Sequence, residues 1–68
     1  MADKQKIQDK IEDLNEMRAM VKKDIEELEE RRRDMNEKKY LKLKEKYEKK
    51  LEKIRNKIKE LEEQLRHL

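Results

Sequence analysis

The chain is 68 residues long, with 21 Lys or Arg, 18 Asp or Glu and one His, so 57% of it is charged and 32% apolar. The formal net charge is only +3, and Gly, Pro, Cys, Trp and Phe are all absent. Such a chain is limited to one small domain. It has no disulfide framework or thiolate ligand set, and it lacks the residues that build β-hairpins and phosphate-cradling loops.

The first half carries a regular apolar rhythm. Ile7, Leu14, Val21, Leu28 and Met35 fall on heptad d positions and Ile11 and Ile25 on a positions, with Lys4, Arg18 and Arg32 at the remaining a sites. Lys, Glu, Leu, Arg and Met favour helix, and no breaker interrupts them. The rhythm predicts an amphipathic helix over about residues 3–33.

A second stripe follows, out of phase with the first. Tyr40, Tyr47, Ile54, Leu61 and Leu68 are d positions, and Leu51, Ile58 and Leu65 are a positions beside Lys44. Met35 and Tyr40 are five residues apart, about 500° of rotation in an unbroken helix, which would swing the stripe to nearly the opposite face. The phase jump predicts a turn over about residues 34–36 and a second helix over about 37–67. Asn36 suits an N-cap, with Glu37 in the first turn and a Met35–Tyr40 hydrophobic staple. Asp34 is the alternative cap. In the absence of Gly, Asp34 or Asn36 is expected to take any left-handed conformation the turn needs.

The fold class expected for residues 1–68 is therefore all-α, a two-helix antiparallel coiled-coil hairpin, with pairing of two hairpins into a four-helix bundle as a further step. Index sums give a register. Pairing d with d at a sum of 68 sets Leu28 against Tyr40, Val21 against Tyr47, Leu14 against Ile54 and Ile7 against Leu61, with no charge facing a charge. Pairing a with a at a sum of 69 sets Ile25 against Lys44, Arg18 against Leu51, Ile11 against Ile58 and Lys4 against Leu65, with the same result. The expected seam is Ile7, Ile11, Leu14, Val21, Ile25, Leu28, Tyr40, Tyr47, Leu51, Ile54, Ile58, Leu61 and Leu65. On its flanks this register pairs Lys22 with Glu48 but brings Lys10 against Lys57. Within the helices, Glu27–Arg31, Glu29–Arg33, Glu45–Lys49 and Glu62–Arg66 are spaced for i,i+4 ion pairs.

Charge is segregated along the chain. Residues 1–30 carry net −4, residues 31–59 net +9 and residues 60–68 net −2. An acidic helix thus faces a basic one, with the excess near the turn. Arg31, Arg32, Arg33, Lys38, Lys39, Lys42 and Lys46 form a candidate nucleic-acid surface at the hairpin tip. Met17, Met20 and Leu43 form a candidate apolar flank for a second copy or another protein.

Catalytic chemistry has no support. The chain has no Ser, Thr or Cys nucleophile, His67 is the only imidazole, and acid pairs such as Glu62–Glu63 diverge on a helix surface. No enzyme activity, cofactor, metal site or small-molecule substrate is expected. No run approaches the roughly 20 apolar residues of a membrane span, and residues 1–6 lack the apolar segment of a secretory signal. The expectation is a cytoplasmic protein with no membrane partner, and its Lys/Glu-rich composition is of a thermophile-like kind. In architecture the hairpin resembles the Rop-type helical-hairpin dimers and the coiled-coil arm of seryl-tRNA synthetases, with no shared residue motif. The function expected is a non-enzymatic protein–protein interaction or assembly module, self-associating as a homodimer or docking on a larger partner. Nucleic-acid or ribosome binding at the basic tip is the second reading.

Overall fold

The computed structural model describes residues 2–68, and it is an all-α hairpin. Helix α1 runs from Ala2 to Arg31, a 3-10 turn spans Arg32–Asp34, and helix α2 runs from Glu37 to Arg66. The two helices lie side by side in a rod whose Cα trace extends 52 × 14 × 12 Å. No helix is long and apolar enough to cross a membrane among the described residues.

The turn is built without a left-handed residue. Residues with positive φ are absent among those described, which corrects the expectation that Asp34 or Asn36 would adopt that conformation. The last turn of α1 instead tightens into the 3-10 turn, and the Met35 N–H donates to the Arg32 carbonyl at 3.3 Å. Met35 (φ −111°, ψ 149°) and Asn36 (φ −61°, ψ 133°) then extend and reverse the chain. Asn36, not Asp34, is the N-cap. Its side-chain oxygen accepts from the Lys38 backbone N–H at 2.8 Å, and its carbonyl accepts the first helical bond from the Tyr40 N–H at 2.9 Å. Extended conformations are open to any residue, so the turn forms without glycine.

All thirteen seam residues are buried or half-buried. Val21, Leu28, Tyr40, Ile54, Ile58 and Leu61 are buried, and Ile7, Ile11, Leu14, Ile25, Tyr47, Leu51 and Leu65 are half-buried. Arg18 and Lys44, basic residues at a positions, are also half-buried, with aliphatic stems long enough to cover the seam while the charge reaches water.

The register differs from the expected one. Val21 clusters with Ile54 and Ile58, and Ile11, Leu14, Ile25, Tyr47 and Leu51 pack around them. An index sum of 68 would set Val21 level with Tyr47 and leave Ile54 seven residues away, roughly 10 Å along the axis and out of contact. The observed packing needs a sum near 72. Other cross-helix neighbours agree: Leu14 lines a groove with Lys57 and Leu61, Ile11 lines one with Glu62 and Leu65, and Arg32 lies on Tyr40. Each a position therefore faces a d position. An index sum of 72 sets Ile7 level with Leu65, Ile11 with Leu61, Leu14 with Ile58, Arg18 with Ile54, Val21 with Leu51, Ile25 with Tyr47, Leu28 with Lys44 and Arg32 with Tyr40. The physical cause is the 3-10 turn, which carries α1 beyond Arg31 before the chain reverses, so the pseudo-dyad falls at Asn36 and not at Asp34. Charge still never faces charge within a layer.

Electrostatic contacts are local. Every ion pair among the described residues joins side chains three or four positions apart: Glu29–Arg32, Glu45–Lys49, Lys57–Glu60 and Glu63–Arg66, with a Glu63–His67 polar contact of the same spacing. Of the four expected i,i+4 pairs, only Glu45–Lys49 forms, at 3.1 Å. Glu29 reaches Arg32 in place of Arg33 because the tighter 3-10 turn brings the i+3 residue over it. Arg66 takes Glu63 in place of Glu62. Each such exposed pair contributes only about 0.2–0.5 kcal/mol, so apolar packing and the helix backbone hold the rod together.

Candidate functional site: the hairpin tip and the outer face of the second helix

The tip is organised around one tyrosine. Tyr40 is 2% exposed, and its hydroxyl donates a 2.6 Å hydrogen bond to Glu29 Oε1. The Arg32 guanidinium sits 4.6 Å from the centre of the Tyr40 ring, and its Nη1 lies 4.0 Å from Glu29 Oε2. Lys44 Nζ approaches the same ring to 5.8 Å. A short bond to a carboxylate combined with a cation over the ring closes the hairpin at its turn. Sequence periodicity placed Tyr40 in the core; its partner Glu29, at an e position, carried no signal of its own.

This latch divides the tip arginines. Arg31 lines a groove with Asp24 and Glu27, Arg32 is engaged with Tyr40 and Glu29, and Arg33 is exposed. Glu29, Glu30, Asp34 and Glu37 lie among them in the chain. The tip thus presents mixed charge.

A longer basic ridge lies elsewhere. On α2, Lys39, Lys46 and Lys53 occupy c positions and Lys42 and Lys49 occupy f positions, a 3-4-3-4 ladder of exposed lysines. By helix geometry the c and f positions point about 130° and 170° away from the seam, so this ridge faces away from α1. It runs about 21 Å at ~1.5 Å per residue. Lys38, on the b side, lies off the ladder. Glu48 is at an e position, but Glu45 and Glu52, at b positions, also point about 130° from the seam and flank the f lysines on the other side. Glu45 shares a groove with Lys42, Lys46 and Lys49, and within the ladder it pairs with Lys49. Four successive like-charge neighbours at i,i+3 or i,i+4 cost about 0.2–0.5 kcal/mol each, offset only in part by the Glu45–Lys49 pair. Of these five lysines, Lys39, Lys42 and Lys46 were flagged in the sequence as part of the tip. Lys49 and Lys53 were missed, although the same spacing extends to them.

The apolar flank is split into two patches. Leu43 is half-buried in a groove of about 260 Å³ near the tip, shared with Leu28, Met35 and Tyr47 and rimmed by Asp24, Glu27, Arg31 and Lys39. Met17 (44% exposed) and Met20 (67% exposed) lie on the same broad face. In the observed register Met20 and Met17 are roughly 13 and 18 Å from the level of Leu43. At the open end, His67 Nε2 meets Glu63 Oε1 at 3.1 Å, an exposed contact on one helix.

These features define an antiparallel helical hairpin with a closed tip, one acidic helix, and a second helix whose outer face is basic. No known protein family, curated protein or solved structure shows a match to the chain.

Proposed function

We propose that the protein is a non-enzymatic assembly module that pairs with a second copy of itself to form a four-helix bundle. The observation that carries this reading is incomplete burial. Seven of the thirteen seam residues stay half-exposed, and the chain presents 6145 Å² of accessible surface, where a compact protein of 8.6 kDa presents about 4,700 Å². The broad face bearing Met17, Met20 and the Leu43 groove supplies the contact. Asp24 and Glu27 of α1 and Lys50 of α2 border that face. A two-fold arrangement sets α1 of one copy on α2 of the other, pairing these charges twice, as a self-complementary interface requires.

Sedimentation equilibrium of the full chain tests it. The expected mass is twice 8.6 kDa, with a melting temperature that rises with protein concentration. The variant Met17→Glu/Met20→Glu shifts the equilibrium toward the single chain. A concentration-independent single-chain mass combined with cooperative melting refutes the reading.

A further inference from the structure

We propose that the lysine ladder of α2, Lys39, Lys42, Lys46, Lys49 and Lys53, is a binding ridge for the phosphate backbone of double-stranded DNA, contacted without regard to base sequence. The inference does not rest on self-association.

Three observations support it. Lys42, Lys46, Lys49 and Lys53 face away from the acidic helix, while Lys39 borders the groove rimmed by Asp24 and Glu27, and four of the five ammonium groups have no ion-pair partner among the described residues. The ridge stands on a single uninterrupted helix, Glu37–Arg66, so its backbone positions are held along one side of a rod and are not carried on a loop. Lysine acts as a point-charge phosphate ligand, and release of condensed counterions from the nucleic acid drives such contacts.

The same face selects among nucleic acids. Single strands are held by aromatic side chains that stack on bases, yet Tyr40 is buried and Tyr47 lies half-buried in the groove beside Leu28. An α-helix of about 10–12 Å diameter matches the roughly 12 Å major groove of B-DNA, whereas the deep, narrow major groove of A-form RNA excludes it. Lysine is a point charge on a flexible stem, and its contacts with phosphates carry no sequence information. The fit is to DNA duplex of any sequence.

Fluorescence anisotropy of a labelled mixed-sequence duplex tests the proposal. About 20 base pairs at ~3.4 Å each exceed the 52 Å rod. Five phosphate contacts predict a slope near −4.5 for the logarithm of the binding constant against the logarithm of salt concentration, hence a loss of about 500-fold between ~50 and ~200 mM salt. The variant Lys42→Gln/Lys46→Gln/Lys49→Gln brings the slope to about −2, while Lys42→Arg/Lys46→Arg/Lys49→Arg keeps the parent slope and controls for folding, which circular dichroism checks in both. Arg31→Gln/Arg33→Gln at the tip leaves the slope unchanged. No binding at ~50 mM salt overturns the proposal. So does an unchanged slope in the glutamine variant, or equal or tighter binding of single-stranded DNA or duplex RNA.

Discussion

Replacing Tyr40 with Phe removes one hydroxyl from the tip and leaves the rest of the latch in place. The ring stays buried, and the Arg32 guanidinium still lies over it at 4.6 Å. What disappears is the 2.6 Å hydrogen bond to Glu29. Bonds to a charged acceptor contribute about 1.5–3 kcal/mol. The Glu29 side chain is 41% exposed, however, so water takes over the freed carboxylate oxygen and no buried acceptor is left unpaired. The expected loss is therefore about 1 kcal/mol. For a domain of this size that is a fall of about 4–8 °C in melting temperature. The assay is thermal and urea unfolding followed by circular dichroism at one fixed protein concentration, because association adds to apparent stability. Glu29→Gln and the double variant complete a cycle, whose coupling is expected to be about 1 kcal/mol. A Tyr40→Phe protein within ~0.3 kcal/mol of the parent, or additive single variants, refutes the latch.

Two further outcomes follow from the turn and the register. Asn36→Ala removes the side-chain acceptor of the Lys38 N–H and should cost about 1 kcal/mol, whereas Asn36→Gly should cost only a few tenths; urea midpoints distinguish them. Val21→Ala and Ile54→Ala combined should show a coupling of at least about 0.5 kcal/mol, because the two residues touch. Additive effects, as expected for residues roughly 10 Å apart, would restore the register with an index sum of 68.

Much of the fold was legible in the chain. The two stripes and the phase jump between Met35 and Tyr40 placed both helices, and Asn36 announced its cap. The register was not legible, for a physical reason. Index sums of 68 and 72 differ by half a heptad, and both keep charges from facing each other, so layer chemistry does not separate them. The 3-10 turn after Arg31 decides it, and a short tightening of this kind leaves no mark in composition. Pairing d with d also carried over the rule of parallel coiled coils, whereas antiparallel helices set a against d. At the candidate surfaces, the arginine cluster drew attention to the tip because Arg31, Arg32 and Arg33 are adjacent in sequence. On a helix adjacent residues diverge, while residues three and four apart share a face, and the structure accordingly places the longest run of aligned positive charge on the lysine ladder.

The register also sets the order in which the hairpin assembles. The layer nearest the turn joins residues eight positions apart, Arg32 and Tyr40, while the Ile7–Leu65 layer joins residues 58 apart. Closing the far layer first costs about 1.8 kcal/mol more in chain entropy. Nucleation therefore belongs to the turn, where the Asn36 cap and the tyrosine latch reward the first contact, and the remaining layers zip outward one after another. Opening runs in reverse. Amide protons beside Ile7 and Leu65 are the first exposed to exchange, and those flanking Tyr40 are the last.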